Sequence, residues 1–522
     1  MIEMIKTEVK PEVKTEPQDD VASVKHEVEN DDDEYIVPQK RLRRNQGVSM
    51  ARNCPFLDTI DRSVLDFDFE KLCSVSLSNI NVYACLVCGK YFQGRGQHSH
   101  AYTHSVQASH HVFLNLHTLQ FYCLPDNYEI IDPSLEDIKY VLRPTFTVAQ
   151  IATLDTSPRV YLALDGTKFV PGIIGLNVIK ANDYMNVILQ ALGQVSPFRD
   201  FFLREENFAH VKPPPGDKGI VVVQRLGELF RKLWNHRSFK AHVSPHEMLQ
   251  VVSSVSKKRF KITEQGDPVE FLSWLLNTLH VGLGGTKKPG TSVIHEVFQG
   301  SLKIYTKKIP AQDDDVMEDT TQYNEEVTES PFLYITLDLP PPPLFQDELE
   351  KNIIPQVALF DLLKKFDGMT EKEYKTHRES FIKRFEITKL PPYLILFIKR
   401  FTKNNFYIEK NPTIVNFPIQ DIDMAEFLSS DPAVQDAHPH TTYDLLANIC
   451  HDGPAEAGKG TYRVHLRHKG TNQWFELQDL HVTELLPQMI TLAEAYIQIW
   501  ELRTDDDNGV MKTDGDMSTT DT

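Results

Sequence analysis

Four residues in one short stretch carry the most specific chemistry in this sequence. Cys85-Leu86-Val87-Cys88 is followed by His104 and His110, a Cys-x2-Cys pair and two imidazoles separated by five residues. That donor set and spacing suit a single tetrahedral zinc closed by four protein ligands, a structural ion with no open position for catalysis. Five of the six cysteines (Cys54, Cys73, Cys85, Cys88 and Cys123) crowd into the same histidine-rich window. In a reducing compartment such crowding points to metal and not to disulfides. The sixth, Cys450, stands alone and reads as a small buried hydrophobe. A second constellation is the run Gly175-Leu176-Asn177-Val178-Ile179-Lys180-Ala181-Asn182-Asp183-Tyr184-Met185-Asn186, which leads into Val187, Ile188, Leu189, Ala191 and Leu192. It places Asn182 and Asp183 at a helix start. There either side chain is expected to accept free N–H groups and oppose the positive end of the dipole, each effect worth roughly 0.5–2 kcal/mol.

The elements that hold these residues must come from a long chain. With 522 residues and 41% hydrophobic content it can bury two or three cores. A net charge of −18 excludes a general nucleic-acid coat and leaves RNA contact, if made at all, indirect or local. No run of 18 apolar residues occurs, and the chain is charged from Glu3 onward, so no membrane span or secretory signal is expected and the reading is a soluble intracellular protein. Residues 1–48, poor in aromatics, read as a disordered tail. Within it Ile5-Lys6-Thr7-Glu8, Val9-Lys10-Pro11-Glu12, Val13-Lys14-Thr15-Glu16 and Val24-Lys25-His26-Glu27 repeat aliphatic-Lys-x-acid. The pattern resembles the acceptor motif for the small ubiquitin-like modifier and makes Lys6, Lys10, Lys14 and Lys25 candidate acceptors. Lys40-Arg41-Leu42-Arg43-Arg44 is a basic cluster of the nuclear-localisation or nucleic-acid kind. Residues 504–522 read as an acidic disordered tail.

The run Gly175 to Asn186 resembles the cysteine box of the ubiquitin-specific proteases, with Asp183 where the nucleophilic cysteine stands. Further boxes of that family follow in order. Gln265-Gly266-Asp267-Pro268-Val269-Glu270-Phe271-Leu272 resembles the helix beside the catalytic one. Leu390 to Phe401, Lys410 to Pro418, Tyr443-Asp444-Leu445 to Tyr462, and Trp474 to Trp500 resemble the palm. The resemblance implies an α+β, papain-like fold with a helical thumb, β palm and fingers over 170–503. Upstream, Cys54-Pro55 through Gly94-Arg95-Gly96 to Phe121-Tyr122-Cys123 resembles the ubiquitin-binding zinc finger, a small α/β domain over 49–146, with 147–169 as linker. A zinc site common in that family would need Ser76 and Gln93 as partners of Cys73 and His100, and a further one would need Phe56 and Asp126 beside Cys54 and Cys123. One zinc, on Cys85, Cys88, His104 and His110, is therefore expected, with Cys54, Cys73, Cys123, His98 and His100 as core or surface residues. In the family this finger captures the ubiquitin C-terminus, which the resemblance places at Arg95, with Tyr83 where a tryptophan is usual.

Every catalytic position departs from the family pattern. Asp183 replaces the thiol, and an aspartate attacking an amide gives a mixed anhydride, a higher-energy species than a thioester. Thr461 stands for the histidine, Gln478 for the orienting residue, and Val178 for the oxyanion asparagine, while Asp479 fits a second, less essential acidic position. His451, His465 and His468 lie nearby and read as solvated loop or strand histidines. No cysteine lies between 124 and 449, so the fingers lack the family's second zinc and must hold by packing. A protease scaffold without its chemistry, behind a one-zinc finger, resembles the nuclear branch of the family that supports assembly of the spliceosomal tri-snRNP. Its implied partners are spliceosomal snRNP proteins. The competing readings are an active or residual deubiquitinase and a receptor that binds ubiquitin or a ubiquitin-like protein without cutting.

Overall fold

The computed structural model describes residues 54–156, 159–212, 216–309, 325–341, 354–375, 380–403, 408–456 and 459–504. The tail lysines 6, 10, 14 and 25, the basic run 40–44 and residues 505–522 lie outside the described residues. No helix among the described residues is long and apolar enough to cross a membrane.

The N-terminal body is a five-stranded antiparallel sheet in the order Tyr91–Gln93, Val82–Cys85, Val112–Asn115, Phe121–Cys123, Tyr128–Ile130. Alternation along Val82–Cys85 sends side chains to opposite faces. Val82 and Ala84 join a core with Leu65, Phe67, Leu114 and Phe121, whereas Tyr83 and Cys85 join a smaller one with Phe92, Phe113, Tyr122 and Leu124. The helix His100–Ala108 packs beside Tyr91–Gln93 on that second face.

The second body has the α+β architecture of helical thumb, palm and fingers. Its central helix, Asp183–Leu192, is buried at all ten positions, so it sits in the core and not on its surface. Polar residues there are spent on backbone: Gln190 donates to Ile174 O at 3.1 Å and Gln194, just beyond, to Gly172 O at 2.7 Å, fixing the chain that enters the helix. Pro268–Gly282 has proline in its first turn and Asp267 as its cap, accepting from Val269 N at 2.7 Å. The palm sheet runs Ile335–Asp338, Tyr393–Lys399, Ala495–Leu502, Thr442–Asp452, Thr461–His468, Gln473–Gln478, His481–Leu485, with only its first pair parallel. The fingers are a four-stranded sheet of Glu326–Phe332, Gly300–Ile309, Ser380–Lys389 and Lys372–Lys375. Its described side chains are joined by Arg384 over the Tyr305 ring at 4.7 Å, Tyr305 Oη donating to Glu386 at 2.6 Å, and Tyr374 edge-on to Phe385.

Residues 147–169, expected as a linker, contain a folded segment. A capping box of Thr147 and Gln150 opens the helix Val148–Ala152, a hairpin pairs Tyr161–Leu162 with Lys168–Phe169, and Ile151, Ala163 and Phe169 enter the thumb core. Asp155 from this segment grips the buried Arg199 through two bonds of 2.7 and 2.9 Å, and Arg199 lies over Trp234. Burial alone would raise the Asp155 carboxyl, but Arg199 and Lys469 hold it down to about 2. An unfolded aspartate titrates near ~3.9, so this carboxylate stabilises the fold above that pH, and the contribution is lost as pH falls through about 2. Asp155→Asn should therefore lower the urea midpoint at pH 7, with the gap to the parent closing between about pH 4 and pH 2. Tryptophan fluorescence reads this directly, and a pH-independent gap would contradict it.

The two bodies are docked. Asp68 accepts from Lys232 Nζ at 2.9 Å and from the Ser244 N–H at 3.0 Å, Lys240 pairs with Asp66, and Phe239 is buried in the N-terminal core.

Candidate functional site

Asp183 begins the central helix, yet neither it nor Asn182 caps that helix with its side chain. This corrects the capping expectation, and the reason is local. Asn182 turns back: its Oδ1 accepts from Ile179 N at 2.7 Å and its Nδ2 donates to Asn177 O at 3.2 Å and Asn186 Oδ1 at 3.0 Å, which holds the loop carrying Val178. Asp183 reaches across the cleft to the palm. Its Oδ2 accepts from Gln265 Nε2 at 2.7 Å and from the Tyr462 N–H at 3.1 Å, while Oδ1 is buried without a partner among the described residues. Gln265 also donates to Gly460 O at 3.0 Å, so one amide ties the helix start to the palm loop. Gly460 must be glycine-sized here, since a Cβ would lie 2.2 Å from His451 Nε2.

The fold brings Thr461 and Gln478, two other positions singled out in the sequence, together beside Tyr462. Thr461 is exposed next to Tyr462, and Gln478 donates to its hydroxyl at 3.3 Å. The turn after Gln478 lies against Gly175, whose Cβ would come 2.8 Å from Leu480 Cα. Burial and the neighbouring Asp183 charge raise the Asp479 carboxyl. Val178 is half-buried and offers no side-chain donor. The three nearby histidines are strand residues, but buried and not solvated, because palm positions here alternate into packed layers. His451 is closest to the cleft. Burial, then Lys410, bring it down to about 4, and its ring is packed edge-on to Phe401 and Tyr462. An imidazole lowered this far and wedged between two rings is a poor proton acceptor near neutral pH. His465 bonds Glu476 at 3.1 Å and His468 bonds Thr471 at 3.0 Å. Cys450 is fully buried, accepts from Asn448, and has its thiol pushed up to about 12 by burial. The roles of Gln265 and of the Tyr462 N–H were not legible in sequence, because a backbone donor carries no residue signature.

In the N-terminal body the four expected ligands converge. Cys85 Sγ lies 3.4 Å from His110 Nδ1, Cys88 Sγ 3.4 Å from His104 Nε2, the two ring nitrogens are 3.1 Å apart, and all four donor atoms fall within 4.8 Å. A tetrahedron with Zn–S near 2.3 Å and Zn–N near 2.0 Å has edges of roughly 3.3–3.8 Å; the two S–N separations fall in that range and the N–N separation just below it, so the donor set suits zinc after small shifts. Gly89, at φ +72°, makes the tight turn behind Cys88, and a Cβ there would strike Val64 O at 2.3 Å. Phe92 stacks on His104 and Phe113 meets it edge-on, fixing the ring. At the second family position, Ser76 Oγ donates to Gln93 at 2.9 Å and the Ser76 N–H to the buried Cys73 Sγ, a hydrogen-bonded replacement for a metal. At the third, Tyr128 Oη donates to Cys54 Sγ, and Phe56 stacks on His111. Arg95 lies 4.0 Å over the Tyr122 ring and donates to Asn127 at 2.5 Å, and Tyr122 meets the buried Tyr83 edge-on. Tyr122, from the Phe121-Tyr122-Cys123 run, and Asn127, which carries no sequence signal, are thus the direct neighbours of Arg95.

Thumb, palm and fingers around a helix that starts at the cleft define a ubiquitin-hydrolase fold. The family model "Ubiquitin carboxyl-terminal hydrolase" matches residues 174–500, and "Zn-finger in ubiquitin-hydrolases and other protein" matches 73–135. The chain belongs to the ubiquitin carboxyl-terminal hydrolase family. It is 62% identical to human ubiquitin carboxyl-terminal hydrolase 39 over 485 residues, covering 91% of this chain and 85% of that protein. It is 46% identical to the probable mRNA-splicing protein ubp10 of Schizosaccharomyces pombe, covering 90% and 92%. Among solved structures, an essential yeast splicing factor superposes with a TM-score of 0.67 at 28% identity, over 86% of this chain and all of that one.

Proposed function

We propose that this chain is a non-catalytic, protease-like scaffold acting in pre-mRNA splicing in the nucleus, where it supports tri-snRNP assembly through contacts with snRNP proteins. The observation that carries the reading is Asp183, a carboxylate bound by Gln265 and the Tyr462 N–H at the place of the nucleophile, with Thr461 where a base is needed. Two relatives of high coverage bear splicing in their descriptions, which supports the same reading. One structural zinc on Cys85, Cys88, His104 and His110 holds the finger and takes no part in chemistry.

Purified full-length protein at micromolar concentration is expected to release no fluorophore from a ubiquitin C-terminal conjugate above a denatured control. Turnover that persists after contaminating proteases are removed would overturn the non-catalytic reading. Affinity capture from nuclear extract, with and without nuclease, should recover spliceosomal small nuclear RNAs and their proteins. Recovery of ubiquitin conjugates alone would instead assign the chain to ubiquitin reception.

A further inference from the structure

Where the finger meets the thumb, a cleft of about 660 Å³ opens between the loop Asn79–Asn81 and the helix Gly219–Leu233. Most cations that line it are already paired. Arg225 bonds Glu228 and Glu247, Lys232 bonds Asp68, Arg143 bonds Glu205, and Lys71 lies 3.9 Å from Glu247. Arg231 differs from all of these. It is only 4% exposed, it has no carboxylate within ion-pair distance among the described residues, and its one hydrogen bond runs from Nη1 to Phe202 O at 3.3 Å. Burial lowers this guanidinium, and Glu205 and Glu228 oppose that from beyond ion-pair distance without bonding it. The helix makes room for it: one turn earlier, a Cβ on Gly227 would lie 3.2 Å from Arg231 Nη1. On the opposite wall Ile80 is 70% exposed, with the half-buried Leu119 nearby and Asn79, Asn81, His117 and Thr118 around them.

We infer that this cleft receives an acidic peptide segment of a protein partner, one carboxylate seated on Arg231 and an adjacent aliphatic side chain on Ile80. The charge pattern favours a peptide over RNA. A phosphodiester strand needs a row of free cations, whereas here one is free and Glu228 and Glu247 face the same space. A single carboxylate next to an aliphatic residue matches one guanidinium without an ion-pair partner and one exposed isoleucine in the same cleft.

The test is fluorescence anisotropy on the full-length protein with a fluorescein-labelled Leu-Glu-Asp-Leu-Glu-Asp-Leu peptide, the same peptide with Gln and Asn for the acids, and a twelve-residue oligouridine. The acidic peptide should bind at least about tenfold more tightly than the amide peptide, as a charged hydrogen bond implies. Ile80→Glu, at an exposed position that folding does not depend on, should weaken it about tenfold. Arg231→Gln should do the same and Arg231→Lys should retain most of the affinity. No binding, equal affinity of the two peptides, or indifference to Ile80→Glu would overturn the assignment. Tighter binding of oligouridine that Ile80→Glu abolishes would overturn it in favour of RNA.

Discussion

Cys85→Ser, or removal of zinc by a strong chelator, is expected to unfold the N-terminal body while leaving the protease-like body folded. The four ligands tie strand ends and the helix His100–Ala108 together on one face of the sheet. Cys85 ends one strand, Cys88 sits in the turn to the next, His104 lies on the helix His100–Ala108, and His110 precedes the strand Val112–Asn115. The core on that face consists of only Tyr83, Cys85, Phe92, Ala101, Phe113, Tyr122 and Leu124 as fully buried members. Against it a structural zinc contributes on the order of 10–16 kcal/mol at neutral pH. Burial raises the Cys85 thiol, so in the absence of a cation nothing offsets the cost of ionising it. The readout is clean because all four tryptophans, at 234, 274, 474 and 500, lie outside the finger. Hydrogen exchange across residues 82–130 should accelerate by orders of magnitude with tryptophan emission nearly unchanged. Protection that survives stoichiometric zinc loss would show that packing alone holds this body.

How much of this was legible in the sequence depends on whether a residue type or a backbone atom carries the signal. The zinc ligands were legible because Cys-x2-Cys with two imidazoles has few other uses, and the structure brings the same four donor atoms together. The α+β family fold was legible because its boxes recur in order, and the family match over 174–500 bears this out. What was not legible were contacts made by main chain or across long separations. Asp183 meets Tyr462 N across 279 positions, and no side chain announces that bond. Asn182 looked like a cap from its type and place, but two loop groups, Ile179 N and Asn177 O, and the Asn186 side chain on the helix competed for its amide and won. Polar-looking His451, His465 and His468 read as solvated, yet their strands are central in the palm, so both faces are covered. The free cation of the interdomain cleft was equally hidden, since an arginine on a helix gives no sign of whether a carboxylate awaits it.

On the proposed non-catalytic reading, placing a thiol at Asp183 is expected to give no hydrolysis, and the same position should prove structural. Asp183→Ala removes the acceptor of the Tyr462 N–H, a buried backbone donor, and of Gln265, and leaves a small void at a helix start with no other vacancy. Losses of this kind cost about 2–4 kcal/mol in total. Asp183→Asn keeps one acceptor oxygen and relieves the repulsion that raises Asp479, so it should stay within about 1 kcal/mol of the parent. Urea unfolding followed by tryptophan emission separates the two, and equal midpoints for the alanine variant and the parent would refute the structural role. Asp183→Cys with Thr461→His supplies a thiol and an imidazole but not their setting. A thiolate there faces the Asp479 carboxylate, which opposes its ionisation, and Val178 gives no donor to a developing oxyanion. The double variant should therefore hydrolyse the ubiquitin conjugate no faster than the parent. Measurable turnover by it would mean that the palm holds a working oxyanion site and that only the two substituted side chains separate this chain from protease chemistry.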